Sequence, residues 1–274
     1  QVVRRRTPAL HVDRVVIERD GVRRTHEHPS HTRAARDRAH RDPPDVDLPR
    51  VRRVREDKEI RCVVITGSGK AFSAGGDLKG FMQDLGRDAA EPLIARLAYA
   101  QDVFNELEAL PVPVIAAVNG YAVAGGPELL LCCDIVLAAA SARIGDGHAR
   151  YGVIPAGGAT ARLPRKIGEN RANEMFYTAE LYPAEVLREW GLVNAVVSDE
   201  ALLAEAERYA AKIASHSAAG LALMKRTRQQ AEGTRPAEKA RAEIAAFREY
   251  VRYPDLAEGL QAFIEKRQPR FSGR

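Results

Sequence analysis

Cysteine is scarce in this chain. Cys62, Cys132 and Cys133 are the three it has, two of them adjacent and none in a Cys-x-x-Cys spacing. That excludes a disulfide framework and a cysteine zinc site. Long apolar runs are missing too: Leu129 to Cys133 and Ile135 to Ala140 are the longest, far short of a membrane span. The first residues hold no apolar core of the kind a secretory signal needs. These absences lead us to expect a cytoplasmic protein with no membrane segment and no metal site.

Acidic excess is also lacking, and the basic excess is confined. The chain carries a net charge of +5; residues 1–58 hold 16 Lys/Arg against 10 Asp/Glu, while the remainder holds 26 against 27. A neutral body with a basic end does not look like a nucleic-acid binder, whose cations line a contact surface. At 274 residues the chain is long enough for a sizeable core.

Val12 to Arg19 reads as a strand. From Gly21 to Lys58 there are ten Arg, four His and four Pro but no Phe, Ile or Met, and we read neither a helical nor a strand period there. That composition is what GC-rich DNA gives when read out of frame. The expectation is a frameshift over about residues 21–55, tested by resequencing, or a disordered basic arm. His26, His28, His31 and His40 have no helix to align them on a metal. Residues 1–58 are therefore set apart from a body of 59–200 and a C-terminal region of 201–274.

The body is more legible. Ile60 to Thr66 reads as a buried strand, and Val114 to Val118 is a short continuous apolar run, the mark of a strand buried on both faces. Gly67-Ser68-Gly69-Lys70 fails as a phosphate loop, because Val64 and Ala71 stand where Gly and Ser/Thr are required. Pro92 to Leu110 is helical, with Leu93, Leu97, Ala100, Phe104 and Leu107 on one face. Glu169 to Thr178 and Pro183 to Trp190 are helices, and Leu192 to Val197 is a strand. Helices alone follow: Ala201 to Ser215, Ala218 to Gln229, Ala237 to Tyr250 and Pro254 to Lys266. Alternation followed by helices argues an α/β core with a helical extension.

The stretch that organises the chain is Pro111 to Gly158. Asn119-Gly120 ends a buried strand, and Ala124-Gly125-Gly126 brings bare N–H groups to a helix whose first position suits Pro127. Glu128 then sits in the first turn, ahead of Leu129-Leu130-Leu131. An unpaired carboxylate against that much aliphatic surface is costly; a surface glutamate favoured by the helix N-terminus is the plainer alternative.

The segment VIAAVNGYAVAGGPELLLCCDIVLAA closely resembles the crotonase (enoyl-CoA hydratase/isomerase) superfamily where it carries its first catalytic glutamate. VVITGSGKAFSAGGDLKGF, IPAGGATARLPRKIG, AELYPAEVLREWGLVNAVV and AFIEKRQPRF match the same family in order, so the resemblance runs from about Glu59 to Phe271. It implies a superhelix of ββα turns, a C-terminal extension at a trimer interface, and a homotrimer or dimer of trimers. It implies an acyl-CoA substrate, with coenzyme A entering as part of the thioester rather than as a tightly bound cofactor. Gly76 and Gly125 become the oxyanion donors and Glu128 the first acid/base. Ala74, Gly75, Asp77, Leu78, Tyr151 and Lys266 become contacts to CoA or substrate.

The second glutamate of the hydratases is absent. His148 stands at its place, and imidazole also moves protons near neutral pH; a loop histidine bonded to backbone is the alternative. Asp146 reads first as a loop cap. The Asp146-Gly147-His148 pattern also resembles the β-diketone hydrolases of the superfamily, but their aspartate after the turn proline is replaced here by Ala156 and Gly157. The reading is a hydratase-like lyase. An isomerase, a retro-Claisen hydrolase or an inactive acyl-CoA binder are the alternatives.

Overall fold

The computed structural model describes residues 14–19, 22–27, 46–85 and 90–272. The chain enters as a hairpin of two antiparallel strands, β1 (Arg14–Arg19) and β2 (Val22–Glu27). After helix α1 (Leu48–Glu56), strands β3 (Ile60–Thr66) and β4 (Ala71–Ser73) lead to helices α2 (Leu78–Leu85) and α3 (Ala90–Glu108). The pattern repeats as β5 (Val114–Val118), β6 (Tyr121–Val123) and α4 (Gly125–Leu131), and again as β7 (Ile135–Ala139) and β8 (Arg143–Gly145). A 3-10 turn (His148–Tyr151), helices α5 (Ala159–Ile167) and α6 (Glu169–Thr178), the two-residue β9 (Tyr182–Pro183), α7 (Ala184–Glu189) and β10 (Ala195–Val197) complete the core.

Each repeat gives one strand to each of two sheets. The larger has the order β10-β7-β5-β3-β1-β2 and the smaller β4-β6-β8-β9. β3, β5, β7 and β10 pair in parallel, with Val63 opposite Val114 and Ile115 opposite Ile135. This is the superhelix of ββα turns that the resemblance implied. Every residue of β3 and β5 is buried, which is why β5 reads as an unbroken apolar run and β3 as one interrupted only by Arg61 and Thr66. The turn after β3 is held by Asn119, whose Oδ1 accepts from Gly67 N at 2.9 Å and whose Nδ2 donates to Gly69 O at 3.2 Å.

The expectation that residues 21–58 hold neither helix nor strand is corrected by β2 and α1. Helix α1 forms because Asp47 caps it, accepting from Arg50 N at 2.9 Å, and Pro49 suits its first turn. Its arginines face out while Val51 and Val54 are buried. It is fastened to α3 where Leu48 N donates to Tyr99 Oη at 3.3 Å and Arg55 pairs with Glu106 at 2.7 Å. His28, His31 and His40 lie outside the described residues.

Helices α8 (Leu202–Ala214), α9 (Ala218–Gln230), α10 (Pro236–Tyr250) and α11 (Pro254–Ile264) form the C-terminal region. α8 buries Leu202, Ala206 and Ala210 against the large sheet. α9 is tied to the core by Lys225, whose Nζ donates to Asp134 Oδ2 at 2.6 Å and to Val112 O at 3.1 Å. Ser217 caps α9 and donates to the buried Asp255 of α11 at 2.6 Å. α10 has no buried residue, and Ile244 and Phe247 lie exposed along it, with Val251 exposed just after its end. No helix among the described residues is long and apolar enough to cross a membrane. No group of three or more described His, Cys, Asp or Glu side chains is placed to hold a metal ion.

Candidate active site

Three loops, one from each of three successive turns of the superhelix, meet at the C-terminal ends of the small sheet's strands. The first, residues 74–78, follows β4. Gly75 has φ +87°, and a Cβ there would lie 2.9 Å from Ala124 Cβ and 3.0 Å from Val123 O. Only glycine fits so close against the next turn. Asp77 serves this loop structurally, accepting from Gly80 N at 3.1 Å at the start of α2, while Leu78 is exposed.

The second loop joins β6 to α4. Ala124, the cap residue, adopts φ 53° and ψ −110°, a conformation that costs a non-glycine residue about 1–3 kcal/mol and persists only where the surroundings impose it. What imposes it here is a hydrogen bond from Ala124 N to Asp146 O at 2.9 Å, together with the contact of Gly75. The strained residue directly precedes Gly125 and so aims that residue's N–H. Helix α4 starts at Gly125 rather than at Pro127, which corrects the expected start. Pro127 occupies the third position, still inside the first turn, where a missing N–H breaks no helical bond.

Glu128 is buried, at 5% exposure, so the surface-glutamate reading is set aside. Its Oε1 accepts from Gly157 N at 2.6 Å and from Ala159 N at 3.4 Å. Burial raises its pKa above the ordinary carboxylate value. The charge of His148 and the two backbone N–H groups pull the other way without cancelling the burial.

The third loop carries His148 and Asp146. Asp146 is 2% exposed; its Oδ1 lies 2.9 Å from His148 Nδ1 and its Oδ2 accepts from His148 N at 3.3 Å. A carboxylate at Nδ1 assigns the proton to that nitrogen and leaves Nε2 as the working atom. Burial lowers the imidazole pKa, but the hydrogen bond and charge of Asp146, with the charge of Glu128, outweigh it and leave the pKa raised. The bend that permits this i,i+2 contact is Gly147 at φ +68°, where a Cβ would press within 2.8 Å of Val123. Asp146 is thus more than a loop cap.

Behind the turn that holds Glu128 stands Arg162 of α5, 7% exposed. Its Nη1 donates to Gly157 O at 2.8 Å, its Nη2 to Asn105 Oδ1 at 2.7 Å and its Nε to Glu108 Oε2 at 2.8 Å. Cys132, on α4 beyond Glu128, is a thiol pushed up to about 12 by burial, too high for a nucleophile at neutral pH.

A family profile described as enoyl-CoA hydratase/isomerase matches residues 50–274. The chain belongs to that family. It is 39% identical over 219 residues to a crotonyl-CoA hydratase of Syntrophomonas wolfei, covering 80% of this chain and 83% of that protein. It is 36% identical to a 1,2-epoxyphenylacetyl-CoA isomerase of Escherichia coli, over 82% and 86% of the two chains. Among solved structures, an enoyl-CoA hydratase of Bacillus anthracis superposes with a TM-score of 0.78 at 37% identity, covering 82% of this chain and 86% of that one. The protein is an enzyme of the enoyl-CoA hydratase/isomerase family.

Of the residues expected from sequence, the structure gathers Gly75, Gly76, Gly125, Glu128 and His148 on adjoining loops. Tyr151 follows on the 3-10 turn and is 71% exposed. Lys266 lies apart on the segment after α11, exposed and with φ 53°. Asp146 and Arg162 carry roles the sequence did not reveal. The first was signalled by its place two residues before a histidine across a glycine, the second by a lone arginine on the inner face of α5.

Proposed function

We propose that this member of the enoyl-CoA hydratase/isomerase family adds water across the double bond of a 2-enoyl-CoA thioester. The observation that supports it best is the pair formed by Glu128, held by two N–H groups, and His148, held by Asp146. They are two proton-moving groups coupled by charge beside the start of α4. With the thioester oxygen at the N–H groups of Gly76 and Gly125, charge developing there in the enolate meets preorganised donors. We assign the proton to His148, whose pKa Asp146 and Glu128 raise, and the carboxylate form to Glu128, whose Oε1 accepts from two N–H groups. The Glu128 carboxylate takes a proton from water as the oxygen bonds to C3, and His148 Nε2–H gives its proton to C2. One water is consumed, and the pair's proton is now on Glu128, from which it returns to the imidazole.

Asp77 and Leu78, with Ala74 and Gly75, are read as the CoA-side loop and Tyr151 as a substrate-side contact; Lys266 is assigned to the CoA on resemblance alone. Coenzyme A enters only as part of the substrate, with no cofactor bound tightly. Residues 59–200 form the catalytic core. Residues 201–274 form the oligomerisation region of a homotrimer or dimer of trimers, supported by the exposed apolar side chains of α10. A reducing cytoplasm suits the three buried free thiols.

Incubation with crotonyl-CoA tests the reaction: loss of the enoyl-thioester absorbance with formation of 3-hydroxybutyryl-CoA is expected, and absence of turnover by folded protein overturns it. Asp146→Asn removes the carboxylate charge that contributes most to raising the His148 pKa and leaves only that of Glu128. Activity that needs the imidazolium is lost as pH rises through that pKa, so the alkaline limb of the kcat/KM profile is expected to move about one unit toward lower pH. A limb that stays in place refutes the assignment of His148 as proton donor. One observation favours a second reading, a carbon–carbon hydrolase acting on β-diketones: Asp146 supplies His148 with the carboxylate that Ala156 and Gly157 lack. Ring-opened acid from a cyclic β-diketone, with no hydration of crotonyl-CoA, would establish that reading instead.

A further inference from the structure

We propose that Arg162 is a positioning residue for Glu128, acting through the Gly157 peptide. The link is continuous: guanidinium to Gly157 O at 2.8 Å, and Gly157 N to Glu128 Oε1 at 2.6 Å. The carbonyl and the N–H of Gly157 belong to adjoining peptide groups, so a guanidinium anchored on the carbonyl fixes the orientation of the N–H that Glu128 accepts from. The far end is anchored by Glu108 and Asn105, both on α3. The turn is closely packed at both glycines. A Cβ at Gly157 would meet Phe104 at 2.4 Å and Glu128 Oε2 at 2.7 Å, and one at Gly158 would meet Arg162 Nη1 at 2.1 Å. Arg162 therefore sets both where the Glu128 carboxylate sits and how firmly its negative charge is held.

The charged and titratable groups around that carboxylate are His148 and Asp146 from the third loop, Cys132 on its own helix, and Arg162 with its counterion Glu108 from α5 and α3. Removing the arginine's charge takes support from the carboxylate, so the Glu128 pKa should climb. Removing the Glu108 charge leaves the guanidinium unneutralised, so it should fall. A purely structural role gives no such opposition of sign.

The proposal rests on the reading of Glu128 as the proton-accepting carboxylate, and the test separates the two. Infrared difference titration would follow the Glu128 carboxyl band, assigned by its loss in Glu128→Gln, in the wild-type chain, Arg162→Gln, Arg162→Lys and Glu108→Gln. The expected midpoints are about one unit higher in Arg162→Gln, lower in Glu108→Gln and close to wild type in Arg162→Lys. In the crotonyl-CoA assay the acid limb of the kcat profile should move with them, and kcat in Arg162→Gln should fall about tenfold with KM within about twofold, a loss confined to the chemical step. Coincident midpoints in all four proteins overturn the proposal. If Arg162→Gln fails to fold, the direction of the Glu108→Gln midpoint decides. Midpoints that move as stated in a chain without turnover uphold the proposal and sink the hydratase reading alone.

Discussion

Glu128→Gln should reduce kcat on crotonyl-CoA about a thousandfold, within the range that a positioned acid/base contributes, with KM changed little. The substitution keeps shape and volume, and the amide oxygen can still accept from Gly157 N and Ala159 N, so the fold should persist. What disappears is the group that accepts the proton of water. Loss of a carboxylate whose charge lowers the cost of protonating His148 should also let the imidazole pKa drop. Initial rates, with a thermal melt showing that the variant is folded, check both: a folded variant of near wild-type activity would remove Glu128 from the mechanism.

Gly157→Ala should be nearly as damaging by a steric route. The added methyl has no room, with Phe104 at 2.4 Å on one side and the Glu128 carboxylate at 2.7 Å on the other. Phe104 is a fully buried ring near the C-terminal end of α3, so the turn must yield instead. Displacement by a few tenths of an ångström to an ångström is enough to cost about a hundredfold in rate, and overpacking of this kind costs about 1–3 kcal/mol in stability. Steady-state kinetics together with urea denaturation should show both losses. Full activity would mean that the hydrogen bond from Gly157 to Glu128 does not matter.

What the sequence revealed follows from how much side-chain pattern each element requires. β3 and β5 are legible to the residue because both faces are buried and leave a run that is apolar throughout in β5 and apolar except for Arg61 and Thr66 in β3. α6 and α9 are nearly so, since their breaks coincide with glycine, a serine cap and buried alternation. Helix α1 escaped notice because its inward face needs only Leu48, Val51 and Val54, and arginines fill the positions between; the capping Asp47 and the following proline were the available signal. β2 offers no alternation at all and exists by pairing with β1. In the site, the glutamate and the glycines are visible in text because their spacing is local. Asp146 was not, since its role depends on the left-handed bend at Gly147. Arg162 was not, because its partners on α3 are more than fifty residues away in sequence.

The staircase of paired strands has a consequence for how such an enzyme changes its substrate. The proposed oxyanion donors stand on the first two steps, the carboxylate on the second and the imidazole on the third, so the rise between steps is the strand spacing of about 4.8 Å and cannot be altered by side-chain substitution. The reacting carbons are thereby measured off by the sheet itself. Whatever surrounds the acyl chain is left to other segments, and these can be rewritten for a longer or bulkier substrate while the ruler stays the same.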